Sequence, residues 1–174
     1  MAGKELSPEE AVRRFSNRMR KTVGDTHNKR NLNKYGKLAA KQILTRTRKG
    51  RGVAETNTVG GKTVKLKKLS SKYQDYRKRT KKNMHSEAKV KKSNLTYTGQ
   101  LLDSLKVTKV NAKKGSFRIE PTGRRKDGKT NKKVAEYVDK NGRPFLGLTS
   151  ADQLNINKLF KQTLADSIRK RLTK

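Results

Sequence analysis

The chain has 174 residues, of which 47 are Lys or Arg and 14 are Asp or Glu, so its formal net charge is +33. Hydrophobic residues make up only 30% of it, which leaves enough apolar surface for one small core and predicts a single domain, 1–174. No apolar run approaches the ~20 residues that cross a bilayer, and without cysteine there are no disulfides or thiolate metal sites. The charge indicates anionic partners and not a membrane.

An N-terminal helical region is predicted over residues 1–47. Ser7, Pro8 and Glu10 match the N-cap, first and third positions of a capping box. Four apolar residues follow at helical spacing and give the predicted helix an apolar stripe: Val12, Phe15, Met19 and Val23. After an interruption at Gly24, a second helical run continues through residues 32–44, as one kinked helix or as two.

The segment 48–93 is predicted to be a basic loop and arm. Its first part, 48–65, is rich in glycine, threonine and asparagine, as loops are. The stretch 62–92 has thirteen Lys or Arg against two carboxylates, with Tyr73 and Tyr76 interleaved among them. Such a stretch is typical of a solvated or partner-bound surface, and its tyrosines could stack on bases.

An α+β core is predicted over residues 94–174. Thr98 is expected to cap a short helix, followed by two antiparallel strands that a turn at 112–115 joins. A basic loop at 121–133, a short helix and a strand-like run at 144–148 come next. Ser150 and Gln153 form a capping box for a last helix with an apolar stripe of Ile156, Phe160, Leu164, Ile168 and Leu172.

The predicted fold class is therefore α+β. It comprises a long N-terminal helix, a small antiparallel β-sheet, a C-terminal amphipathic helix packed on the sheet, and long basic loops.

The sequence shows no recognisable catalytic or metal site. His27 and His85 lie in polar, lysine-rich surroundings, and residues 60–63 match only the end of a phosphate loop. The carboxylates are scattered, so nothing pairs an acid with a base. We expect no enzyme activity, no cofactor and no metal; an enzyme acting on nucleic acid, with carboxylates that folding brings together, stays a third alternative.

Basic residues of two segments are the candidate contacts. The loops 62–92 and 111–133 carry charge with almost no counter-charge, so we expect them to face either DNA or acidic protein neighbours. The candidate anion or partner contacts are Lys65, Lys67, Lys68, Lys72, Arg77, Arg79, Lys81, Lys82, Arg124, Arg125 and Lys126.

Three segments occur in a distinctive order: LKKLSSKYQDYRKR at 66–79, LTYTGQLLDSLKV at 95–107 and NGRPFLGLTSADQLNINKLF at 141–160. Together they resemble the virion-morphogenesis family of tailed phages, also described as tail-completion or minor tail, head–tail joining proteins. The motif residues are Thr98, Gly99, Leu101, Arg143, Pro144, Phe145 and Gly147. We interpret them as structural, since glycine permits a tight turn and proline keeps the residue before it extended.

The resemblance implies a structural virion protein of the phage neck, which completes the tail or joins head to tail. Its partners would be further copies of itself in a ring, expected to be a hexamer, then neighbouring neck and tail proteins, and the packaged DNA of the channel. It would be found in the virion, and in the host cytoplasm during assembly. Composition alone favours the alternative, a non-sequence-specific nucleic-acid-binding protein of a ribosomal or nucleoid-like kind.

Overall fold

The secondary structure alternates long helices with very short strands. The computed structural model describes residues 8–86, 88–91, 93–125 and 127–172. Over these residues the elements are α1 (Pro8–Thr26), α2 (Lys29–Arg48), β1 (Arg51–Val53), β2 (Val59–Gly61), β3 (Thr63–Lys65), α3 (Ser71–Arg79), a 3₁₀ turn (Lys81–Asn83), α4 (Gln100–Asp103), β4 (Leu105–Asn111), β5 (Ser116–Pro121), α5 (Asn131–Lys140), β6 (Leu148–Thr149) and α6 (Ser150–Leu172). The α+β class is confirmed.

The N-terminal region forms two helices. The side chain of Asn28 accepts a hydrogen bond from the Asn31 amide at 2.9 Å, and this N-cap starts α2 afresh after α1. The second helix is the central one, because its apolar face is buried along its length at Leu32, Tyr35, Ala39 and Ile43. The predicted cap at Ser7 lies outside the described residues.

The apolar stripe of α1 is largely exposed. Val12 and Phe15 are each 65% exposed, and Met19 and Val23 are 37% and 39% exposed. Amphipathic spacing shows that a helix has an apolar face, but it does not show whether anything in the same chain covers it.

Helix α6 packs against α1, but it covers only part of the length of α1. The guanidinium of Arg171, in the last turn of α6, donates to the Arg18 carbonyl at 3.3 Å and pairs with Asp25. The described part of α6 therefore ends beside the middle of α1. Thr22 and Thr26 are buried, whereas residues 12–21 are exposed apart from the half-buried Ser16, and we call residues 12–21 the projecting part of α1.

The segment 48–65, predicted as a loop, contains three strands. β1 pairs with β3 in antiparallel register, and β2 pairs with β6 in parallel. The Val53 amide donates to the Pro144 carbonyl at 3.1 Å, and a Cβ on Gly52 would lie 2.0 Å from that same oxygen. β1 and β3 pair locally, whereas β2 depends on the distant β6, and glycine at 52 allows the close approach of the Pro144 backbone to β1.

The core lies where α2, α4 and α5 meet the segment around Phe145. Its buried members are Ile43, Leu101, Leu102, Ala135 and Phe145. The predicted strands form the antiparallel hairpin β4–β5, which packs on α2. Thr98 does not cap α4. Gly99, at a φ of +73°, occupies the N-cap position without a side-chain cap.

The last helix begins with a capping box one residue earlier than predicted. Thr149 Oγ1 accepts from the Asp152 amide at 3.3 Å, and Asp152 Oδ2 accepts from the Thr149 amide at 3.0 Å. Ser150 instead donates to the Gly60 carbonyl at 2.9 Å. The strand-like run 144–148 is extended, but only its last residue belongs to β6.

A buried ion pair joins this cap to the central helix. The Arg46 guanidinium binds the Asp152 carboxylate, and both residues are 8% exposed. Arg46 also donates to the carbonyls of Phe145, at 3.0 Å, and Gly147, at 2.9 Å. Burial lowers the pKa of Arg46 and the Asp152 charge raises it, so the pair keeps the cation in an interior that would otherwise disfavour it.

We expect Asp152→Asn to lower the free energy of unfolding by about 3–5 kcal/mol, because the Arg46 charge stays buried without its counter-ion. Asparagine keeps an acceptor for the Thr149 amide, so the loss reports mainly on the charge. Urea unfolding followed by circular dichroism measures it. Asp166→Asn, at an exposed site of the same helix, is the control and should stay within about 0.5 kcal/mol; equal losses would contradict the assignment.

Candidate functional site

Three tyrosines form an aromatic cluster on the surface, which we call the tyrosine platform (Tyr73, Tyr76 and Tyr97). Tyr73 and Tyr76 lie in α3 with ring centroids 5.9 Å apart and planes 17° from parallel. Tyr97 reaches them from the segment before α4, at 6.3 Å and 5.9 Å respectively. Tyr73 is 37% exposed and Tyr76 45% exposed, so the platform presents ring surface to solvent.

Arg77 lies inside this cluster and not on the surface. Its guanidinium carbon is 5.1 Å from the ring centroid of Tyr73 and 5.5 Å from that of Tyr97, and its Nη1 donates to the Lys89 carbonyl at 2.9 Å. Only 2% of the residue is exposed. Arg77 was predicted to contact an anion; it instead holds the rings together by cation–π attraction, which is stronger where water is excluded.

A short hydrogen-bond chain fixes the rest of the platform. The Tyr97 hydroxyl donates to Thr80 Oγ1 at 2.7 Å, and that hydroxyl donates to the Tyr76 carbonyl at 2.7 Å. The contact with the Tyr97 hydroxyl raises the pKa of Tyr76 above its ordinary value. A tyrosine is uncharged at neutral pH even at its ordinary pKa, so the ring offers no phenolate to repel an anion.

Exposed cations lie along the chain on both sides of the platform. Arg143 donates to the carbonyls of Lys67 and Lys68 at 3.1 Å and 3.2 Å, which ties this backbone to the core. The predicted contacts that are exposed here are Lys65, Lys67, Lys68, Lys72, Arg79, Lys81 and Lys82. Flat aromatic surface near exposed cations suits a ligand with planar groups and phosphates, as in an unpaired nucleic-acid strand.

The second basic loop is more constrained than predicted. Arg124 forms an isolated antiparallel bridge with Thr130, and Arg125 Nε lies 3.7 Å from the Asp127 carboxylate. Arg124 is exposed, whereas the charge of Arg125 is partly neutralised by its neighbour. Lys126 lies outside the described residues.

The motif residues of the predicted resemblance have structural surroundings. Phe145 is 1% exposed and Leu101 5% exposed, both in the core, and the carbonyls of Phe145 and Gly147 accept from Arg46. Gly147 also packs 3.1 Å from Val53, measured from an ideal Cβ. These positions build the centre of the molecule and are not the contact surface.

His27, His85 and the scattered carboxylates were the residue types considered for catalysis or metal binding. His27 stacks on Phe160, with centroids 5.6 Å apart and planes 22° from parallel, so its ring serves packing. Within the described ranges, no group of three or more histidines and carboxylates is placed to hold a metal ion. None of the helices described here is both long and apolar enough to cross a membrane.

Comparisons with protein-family models, with curated proteins and with solved structures found no match. The resemblance to tail-completion proteins therefore stays a prediction from the motifs that carry it.

Arg77 and Arg79 lie two residues apart and should differ in what they do. Arg77→Ala removes a buried charged hydrogen bond and should lower the free energy of unfolding by about 1.5–3 kcal/mol. Arg79→Ala should leave stability unchanged and weaken binding of a random single-stranded oligonucleotide. Its salt slope should fall by about 0.7 for one lost phosphate contact. Thermal melts and fluorescence anisotropy across a salt series measure both, and a destabilised Arg79→Ala would contradict the division.

Proposed function

We propose that this chain is a structural protein of the neck of a tailed-phage particle, which completes the tail or joins head to tail as a homo-oligomeric ring. The observation that carries the proposal is the exposed apolar stripe of α1. A helix that leaves a valine and a phenylalanine each 65% exposed, in line with Met19 and Val23, has the character of an assembly surface.

The motif segments support the same proposal. Residues 143–147 resemble the segment that precedes the last helix in tail-completion proteins, and here they tie α2, β1 and α6 together. The high positive charge would speed encounter with acidic neighbours and fix their orientation, since long-range fields act on association rate and register more than on affinity.

A phage with an amber codon in place of the Tyr35 codon of this gene tests the proposal. We expect filled heads and separate tails to accumulate, because the two parts lack their joining ring. Electron microscopy of lysates and infectivity titres measure the result.

The same phage grown in a host with a tyrosine-inserting suppressor is the matched control, since it makes the unchanged chain. Intact infectious particles in the host without the suppressor would overturn the proposal.

The second candidate function is non-sequence-specific binding of nucleic acid. The tyrosine platform favours it, because exposed rings near exposed cations stack on bases of any sequence. In the neck of a particle the same surface could face the packaged DNA, so the two functions are compatible.

Tyr76→Ala separates stacking from charge. We expect roughly 5- to 150-fold weaker binding of a random single strand, because one base loses its stacking partner. Binding of a random duplex should not change, since its bases are already stacked on one another. Gel shifts across a salt series measure both. Tyr137→Ala, at a 68% exposed tyrosine on α5, is the control; equal losses for the two variants would contradict a role for the platform.

A further inference from the structure

The projecting part of α1 combines an apolar stripe with a high density of positive charge. Residues 13–21 contain five Lys or Arg and no carboxylate. Two such helices brought face to face would set arginines against arginines, which opposes a symmetric contact of α1 with α1. We therefore expect the stripe to bind an apolar surface that differs from α1 and has carboxylates at its rim.

The chain itself has such a surface. A groove of about 620 Å³ lies between β5, α5, the segment 56–59 and the segment 145–148. Its apolar walls come from Val59, Phe117, Ile119, Ala135, Leu146 and Leu148. Sites that hold a whole small ligand have volumes of roughly 300–1,000 Å³. The groove lies within this range, so it has room for the apolar side chains of one helical face.

The groove is acidic in a very basic molecule. Its lining includes three carboxylates, Glu120, Glu136 and Asp139, against two cations, Arg118 and Lys132. The whole chain has 47 Lys or Arg against 14 Asp or Glu. The groove therefore has more acidic than basic residues, whereas the chain as a whole has more basic than acidic ones. The Thr108 hydroxyl, and after it Arg118, lowers the pKa of Glu120, so that carboxylate is charged at neutral pH.

The groove is separate from the molecule's own α1. No residue of α1 lines it, and α1 is held against α6 by the Arg171–Asp25 pair and by Phe160 stacked on His27 just after the helix. Filling the groove with its own α1 would break these contacts, whereas binding α1 of another copy does not require them to break.

We propose that the projecting part of α1 from one copy inserts Val12, Phe15 and Met19 into this groove of a second copy, with the flanking arginines meeting the carboxylates. Helix and groove are different surfaces and every copy has both, so the contact is head-to-tail and forms a ring when the rotation closes. The inference rests on the proposed function for the place of that ring in a particle, but not for the contact itself.

Two variants, each lacking one half of the contact, test this. Phe15→Ser removes the main apolar side chain of the helix, and Val59→Lys/Glu136→Lys places cations in the groove. Phe15 and Val59 are 65% and 68% exposed and Glu136 is exposed, so both variants should melt like the wild type. Leu154→Lys/Asp166→Lys, an exposed apolar residue and an exposed acid on α6 outside the groove, is the matched control.

Sedimentation velocity of the full chain across a concentration series is the measurement. We expect the wild type and the control to form rings or larger head-to-tail assemblies, and each variant alone to associate at least about tenfold more weakly. An equimolar mixture of the two variants should form a dimer and stop there, because one copy supplies the intact helix and the other the intact groove.

A wild type that stays monomeric, or an oligomer that survives either variant, would overturn the inference. A mixture that fails to form the dimer would also overturn it, since the contact would then not be head-to-tail. The experiment uses the purified chain alone. If the sedimentation experiment fails but the amber phage is still defective in joining heads to tails, the proposed function stands without this contact. If the sedimentation experiment succeeds but the amber phage gives intact particles, the contact stands without the proposed function.

Discussion

The Arg46 guanidinium is the interaction on which the rest of the structure depends. It is a buried charge, which is costly unless it is paired and hydrogen-bonded, and its three partners come from two segments of the chain. They are the Asp152 carboxylate at the start of α6 and the carbonyls of Phe145 and Gly147. Because the segment 145–148 is also a wall of the acidic groove, the same cation that anchors the last helix shapes the surface proposed for assembly.

The charge of the chain has two distinct uses. Some arginines point inward and hold structure: Arg46 in the core, Arg77 under the tyrosine rings, and Arg143 on the backbone of residues 67 and 68. Others lie on the projecting part of α1 and around the tyrosine platform, where water and partners reach them. Counting basic residues in the sequence does not separate these uses, since the separation depends on which planar donors find carbonyls, carboxylates or rings.

The sequence predicted those features that depend on local patterns. The helices around Leu32 to Leu44 and after Ser150, and the hairpin around Val107 and Ile119, follow from apolar spacing and are present. The strand β2 in the segment 48–65 was missed because it depends on distant backbone, here that of residue 148. The capping box was misplaced by one residue because the competing pair, Thr149 and Asp152, carries the same signal, and a partner from α2 decides between them.

The sequence indicated only some of the residues that form the candidate surfaces. Tyr73 and Tyr76 stood out among lysines, but Tyr97 joins them through tertiary contacts that spacing does not show. The spacing of apolar residues predicted the stripe of α1 but not its exposure, because exposure depends on where α6 packs. The sequence did not predict the groove, because its carboxylates come from two elements, β5 and α5, and are separated along the chain.

The pairing of residues 51–61 with residues 144–149 also has a consequence for the order of folding. Contacts between segments so far apart in sequence raise the contact order, and the entropy of closing a long loop opposes them until other interactions form. The hairpin β4–β5 and the pair β1–β3 need only near neighbours. During synthesis these local units can form first, while β2 and the groove wall form only after the final quarter of the chain has emerged.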